Sequence, residues 1–204
     1  MACISTIFGL VFLLFYLTIY SDYLNRDVNV DKSYIGFIFG IQPGTFFVVA
    51  PIIGFLSKRI PRIYLGQVAF FSIPISLSLY GPSKFLNFPQ KLPLMLPGNM
   101  CMGISNSLVV VPLIAEIIDA VKQKEEVDDK DEATSAKISD LASGLYSSCN
   151  ALGSFSAPIV GGIINQEYGF RSTCDIMAVS SFSFGVIYLA VNTIPYIIAK
   201  RSKT

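Results

Sequence analysis

Hydrophilic segments divide the chain into six apolar stretches, each long enough to cross a bilayer as a helix of about 20 residues. They run from about Cys3 to Tyr20, Tyr34 to Leu56, Ile63 to Tyr80, Leu94 to Ile118, Leu141 to Ile164 and Thr173 to Ala199. The pattern predicts an all-α, polytopic membrane protein. Residues 1–118 hold four spans, 119–140 a hydrophilic link, 141–199 two more spans and 200–204 a tail. The first span starts almost at Met1, with no charged lead and no small-residue cleavage site, so a removable signal peptide is not expected. Its abrupt start reads as if further sequence preceded it.

Small and polar residues distinguish the spans. In the fifth, Ser143, Ser147, Ala151, Ser154, Pro158 and Gly161 recur every three or four residues, which predicts a bare helix face for close packing on protein. In the second, Gly36, Gly40 and Gly44 form a similar ladder, while Pro43 and Pro51 each remove a backbone donor and predict a bend. Gln42 lies near mid-depth of that span, either in a tight helix contact or facing a cavity. The third span is uniformly apolar apart from Gln67 and a few serines, and it reads as lipid-facing. The fourth carries Asn99, Asn106, Glu116 and Asp119; a carboxylate at such a depth must face protein or water. For Glu116 a hydrated helix end is the competing reading.

Two stretches echo each other: Ala50-Pro51-Ile52-Ile53-Gly54 and, 107 residues later, Ala157-Pro158-Ile159-Val160-Gly161. Membrane helices draw on few residue types, so a chance match is one reading; the offset of about half the chain gives the other, two three-helix inverted repeats, the first over residues 1–80.

Composition agrees with the membrane reading and narrows the chemistry. Of 204 residues, 52% are hydrophobic and only 14% charged, against about 25% charged in a typical soluble domain; the mean hydropathy is +0.59. A net charge of +1 provides no field for nucleic acid. There is no histidine, which removes histidine-ligated metals, histidine proton relays and Ser/His or Cys/His nucleophilic pairs. Cys3, Cys101, Cys149 and Cys174 lack ligand spacing and read as small helix residues. No metal site, cofactor or enzymatic constellation is expected. Of the 15 Lys and Arg residues, ten fall in the loop at 57–62, the long link and the tail. That bias puts both termini and the link in the cytosol, in a plasma membrane or an endomembrane.

Several segments resemble the major facilitator superfamily. GFLSKRIPR, Gly54 to Arg62, resembles the G-x-x-x-D-R-x-G-R/K loop after the second helix of each half, with Lys58 at the acidic position, Pro61 for a glycine, and Arg59 and Arg62 retained. Gly153 to Gly162, GSFSAPIVGG, resembles the G-x-x-x-G-P-x-x-G-G signature of the proton-coupled antiporters; Ala157 replaces a glycine, and Gly153, Pro158, Gly161 and Gly162 match. With the Tyr168–Arg171 turn, Y-G-F-R, the order of features resembles the C-terminal half of a transporter of the drug:proton or vesicular amine and polyamine branch.

The resemblance implies half of a major facilitator fold, family helices seven to twelve, with the first, second, fourth and fifth spans lining a cavity and the third and sixth outside. Gln42, Asn106, Tyr146 and Asn150 would line the cavity, with Glu116 and Asp119 as gate or proton-coupling groups. Asn150 cannot titrate. The partners implied are the bilayer, a small organic solute and a second six-helix half, either an N-terminal half or a second copy. Two functions stay open: transport by alternating access, and a non-transporting six-helix subunit with an assembly role.

Overall fold

The computed structural model describes residues 2–124 and 132–201, with side chains over 3–118 and 140–198. It is built of helices: α1 (Ala2–Leu14), a 3-10 turn (Phe15–Thr18), α2 (Tyr20–Arg26), α3 (Lys32–Leu56), α4 (Arg62–Tyr80), α5 (Leu92–Lys124), α6 (Glu132–Tyr168), α7 (Phe170–Tyr188), a π-helical turn (Leu189–Thr193) and α8 (Ile194–Arg201). No strand occurs among the described residues. Among the described residues five stretches are long and apolar enough to cross a membrane: Cys3–Arg26, Lys32–Leu56, Arg62–Tyr80, Leu92–Ile118 and Phe170–Ile198. The 37-residue α6 is not among them, because Ser, Gly and Asn dilute its apolar run. It nonetheless follows the first span closely, through Gly153 and Gly161.

Local signals explain the boundaries. Asp31 caps α3 by accepting from Ser33 N–H at 3.2 Å, satisfying one of the orphan donors of a helix start. Gly169 takes φ +75° between α6 and α7, a backbone state that costs glycine nothing. Helix α5 runs on to Lys124, and α6 already starts at Glu132. The strong helix formers of Ala120–Lys124 extend helix into the region expected to be a solvated link.

The helices alternate in direction. One row comprises α3, α5, α1 and α6 in contact, with α4 and α7 packed behind. Each middle helix lies on the first helix of the other triplet, α3 on α5 and α6 on α1, the exchange that a two-fold relation between triplets would produce. Glycines permit the closest approaches. A Cβ at Gly103 would stand 2.6 Å from Gln42 O, one at Gly153 2.8 Å from Leu10 Cβ, and one at Gly9 2.8 Å from a Val109 methyl.

Three expectations about helix faces need correction. The third span, α4, is exposed on one side only, at Val68 and Ile75, while Leu65, Ala69, Phe70, Ile73, Leu77 and Tyr80 are buried against α5 and α7. In a bilayer the protein-facing and lipid-facing sides of a helix are equally apolar, so composition alone could not tell them apart. On α6 the packed stripe is Ala142, Cys149, Gly153, Ala157 and Gly161, while Ser143, Ser147 and Ala151 are exposed. The ladder Gly36, Gly40 and Gly44 on α3 faces open space, and a Cβ added at any of the three would meet nothing within 4 Å.

At one end of the bundle Tyr16, Tyr20, Tyr23, Tyr80 and Phe170 form a buried aromatic cluster; the Tyr20 and Tyr80 ring centroids are 4.2 Å apart and those of Tyr23 and Phe170 4.4 Å. Asn99, itself buried, donates to Tyr20 Oη at 3.0 Å and to Met95 O at 3.3 Å. Beside the cluster the loop after α4 is fastened to the start of α7. The Arg171 guanidinium donates to the carbonyls of Pro82, Ser83 and Phe88. Asp175 Oδ2 accepts from Lys84 N–H at 3.0 Å. The Y-G-F-R turn thus supplies a glycine bend, an aromatic plug and a loop clamp in three successive residues.

Candidate functional site

Three glycine contacts fix the relative depth of the predicted cavity residues. Gln42 lies level with Gly103, and Gly9 with Val109; Asn106 therefore sits between these levels. Gly153 meets Ile7 and Leu10, which puts Asn150 one turn farther from the aromatic end and Tyr146 another turn on. At 1.5 Å per residue each three-residue step is about 4–5 Å, so Gln42, Asn106, Asn150 and Tyr146 descend in order towards the opposite, basic end.

Their burial differs. Gln42 is 7% exposed, in the seam between α3 and α5, whereas Asn106, Tyr146 and Asn150 are half-buried. Much of the remaining polarity in these helices is satisfied within the fold. Ser107 Oγ donates to Gly103 O at 3.1 Å and Thr45 Oγ1 to Ile41 O at 2.8 Å. Ser72 and Ser76 lie 2.9 and 3.0 Å from Ser105 Oγ.

The basic end holds the loop resembling a transporter motif. Arg62 Nη1 donates to Ala115 O at 2.8 Å, tying the start of α4 to the far part of α5. Glu116, the next residue, has its Oε2 3.4 Å from Tyr188 Oη of α7. Arg59 lies over the Phe55 ring, 4.7 Å from its centroid, an exposed cation–π contact; Lys58 is exposed. Gly54 and Gly162 have open space around them, Gly153 abuts α1, Gly161 abuts Phe15 of the following 3-10 turn, and Pro158 is half-buried. The Asp119 side chain lies outside the described residues.

Sequence reasoning passed over Gln67 as an exception in an apolar run. It is 8% exposed, its Nε2 donates to Gly185 O at 3.0 Å, and its Oε1 accepts from Thr193 Oγ1 at 3.1 Å. The available signal was the cost of an amide in hydrocarbon, which demands a partner; nothing in the sequence named that partner.

The family model described as Major Facilitator Superfamily matches residues 1–203. The chain belongs to this superfamily. It is similar to MFS-type transporter SLC18B1 of Rattus norvegicus, 21% identical over 168 residues, which are 81% of this chain and 36% of the rat protein. Against the protein of the same name in Mus musculus the identity is 23% over 153 residues, 74% of this chain and 32% of that one. The chain thus spans about a third of the length of the curated relatives it matches. With its apolar helices, superfamily membership makes it an integral, multi-pass membrane protein.

Proposed function

We propose that this chain is the C-terminal half of a secondary transporter that moves a small organic solute across the membrane by alternating access. The observation that carries the reading is the row α3, α5, α1 and α6. It bears the half-buried Asn106, Asn150 and Tyr146, and its outer members leave large apolar faces unpartnered. Phe37, Phe47, Val48 and Ile52 on α3, and Leu152, Phe155 and Ile163 on α6, are all more than half exposed. A second six-helix half laid across this row would cover those faces and enclose the polar groups at mid-membrane, where such transporters hold their substrates.

The substrate class proposed is an organic amine, following the branch resemblance; the two relatives, each an MFS-type transporter by name, support transport as such. Gln42, Asn106, Tyr146 and Asn150 supply neutral hydrogen-bonding groups. Glu116 and Asp119 supply the carboxylates for gating and proton exchange at the basic end, which the Lys and Arg bias puts in the cytosol together with the termini and the 119–140 link.

The test is uptake of a fluorescent organic amine into vesicles carrying the whole parent chain. Asn106→Ala and Asn150→Ala should each lower uptake several-fold while leaving the amount of protein in the membrane unchanged. Uptake unaffected by both changes would favour the assembly-subunit reading, in which bulky residues at Ser147 or Ser154, and not these two changes, would disrupt the protein's role.

A further inference from the structure

We infer that Tyr188 is a positioning residue for the Glu116 carboxylate, and that Gln67 sets Tyr188 by holding the π-turn which follows it. An outer helix, α7, would thereby fix a carboxylate on the inner helix α5. The effect on transport rests on the gate reading of Glu116 above; the positioning itself does not.

The geometry begins with the π-turn Leu189–Thr193. Such turns widen a helix by one residue, weaken its ladder and are frequent at functional sites. One side chain from another helix spans this turn. The Gln67 amide donates to Gly185 O on the near side and accepts from Thr193 Oγ1 at its last residue. Gly185 O also receives the Leu189 N–H, so the carbonyl at the edge of the irregularity is doubly bonded. Both amide ends are buried, with Gln67 at 8% and Thr193 at 6% exposure, and removing the amide would leave both partners short of a bond away from water.

Tyr188 immediately precedes the turn and is 3% exposed. Its ring packs on Phe70, with centroids 5.3 Å apart. Its hydroxyl passes over Gly66, where a Cβ would lie 2.9 Å away, and ends 3.4 Å from Glu116 Oε2. The glycine leaves the room that the phenol uses. Arg62 meanwhile holds the adjacent Ala115 carbonyl, so the end of α5 is gripped from α4 and from α7 at neighbouring residues.

The test is hydrogen exchange at residues 113–118, with the whole parent chain reconstituted in liposomes. Tyr188→Phe removes only the hydroxyl and should speed exchange there roughly two- to tenfold, the range one hydrogen bond is worth. Gly66→Ala should displace the phenol and do the same, which keeps the idea testable if Tyr188→Phe accumulates poorly. Gln67→Leu should speed exchange both there and over 185–193. Ser181→Ala, in the same α4–α7 seam with its hydroxyl on Phe70 O, should leave 113–118 unchanged.

The deciding step is the cycle with Glu116→Leu: if Tyr188 acts through the carboxylate, Tyr188→Phe adds nothing in that background. Full additivity, or no effect of Tyr188→Phe and Gly66→Ala, overturns the inference. Amine uptake by the Glu116→Leu variant separates the two ideas. Normal uptake with an intact exchange cycle would remove the gate reading and leave the positioning in place.

Discussion

Asn99 shows what a polar side chain does inside this bundle. Its amide gives Tyr20 a donor while using its own helix, through Met95 O, for the second proton. Asn99→Leu should cost about 1–3 kcal/mol, because it deprives a buried phenol of that donor. Pairing it with Tyr20→Phe should recover most of the loss, since removing both partners is nearly neutral. Thermal unfolding of the detergent-solubilised protein, comparing the single and double variants, checks this; a double variant as unstable as the sum of the two would show that packing, not the bond, dominates. At this scale the sequence told which residues were unusual and not what they touched. Asn106 stood out as an amide in an apolar run, Asn150 only through the family resemblance, and both are half-buried on the row helices. Gln67, noted only as an exception in an apolar run, binds a helix more than a hundred positions away, a pairing that only the fold creates.

At the scale of elements, close helix approach is carried by a few glycines, and the structure separates those from glycines that merely share the motif. Gly161→Ala would bring a Cβ to 2.5 Å from Phe15 O, and Gly103→Ala to 2.6 Å from Gln42 O. Both obstacles are backbone, so the helices must part. Each change should destabilise the protein by about 1–3 kcal/mol, whereas Gly162→Ala meets open space and should be silent in the same unfolding measurement. The existence and order of the helices were legible from the lengths of the apolar runs and the hydrophilic segments between them. Their faces were not. The signature Gly153 to Gly162 and the serine stripe overlap on one helix, and only contact with the first span shows that Gly153, Ala157 and Gly161 form the packed side. The lipid-facing reading of α4 holds for one side only, for a related reason: a span that is apolar all round carries no stripe to read.

For the whole molecule, the uneven burial of the spans is the main clue to assembly. Only 17% of the α3 span is buried, against 50% or more for the first span, α4 and α5. If a second half covers α3 and α6, a Trp in place of Gly40 on α3 or Ser147 on α6 should leave the six-helix unit as stable as before. It should nonetheless weaken association, read as loss of cross-linking between the halves of a co-expressed split protein. Cross-linking unchanged in both variants would put lipid, not protein, on those faces. Residue pattern made the membrane character and the all-helical build legible. It could not tell an apolar surface that meets protein from one that meets lipid, because hydrocarbon satisfies such a surface equally well.

The clamp at Arg171 also has a meaning in time. The carbonyls it binds belong to residues 83 to 89 positions earlier in the chain. At a synthesis rate of about 5–20 residues per second, those carbonyls leave the ribosome several seconds before the guanidinium that will bind them exists. During that interval the loop between α4 and α5 has neither Arg171 nor Asp175 to hold it. A nascent chain arrested before Phe170 should therefore be cut readily at Lys84, and one arrested well beyond Asp175 should resist. Sensitivity to a protease at this loop would therefore report whether the start of α7 has docked against it.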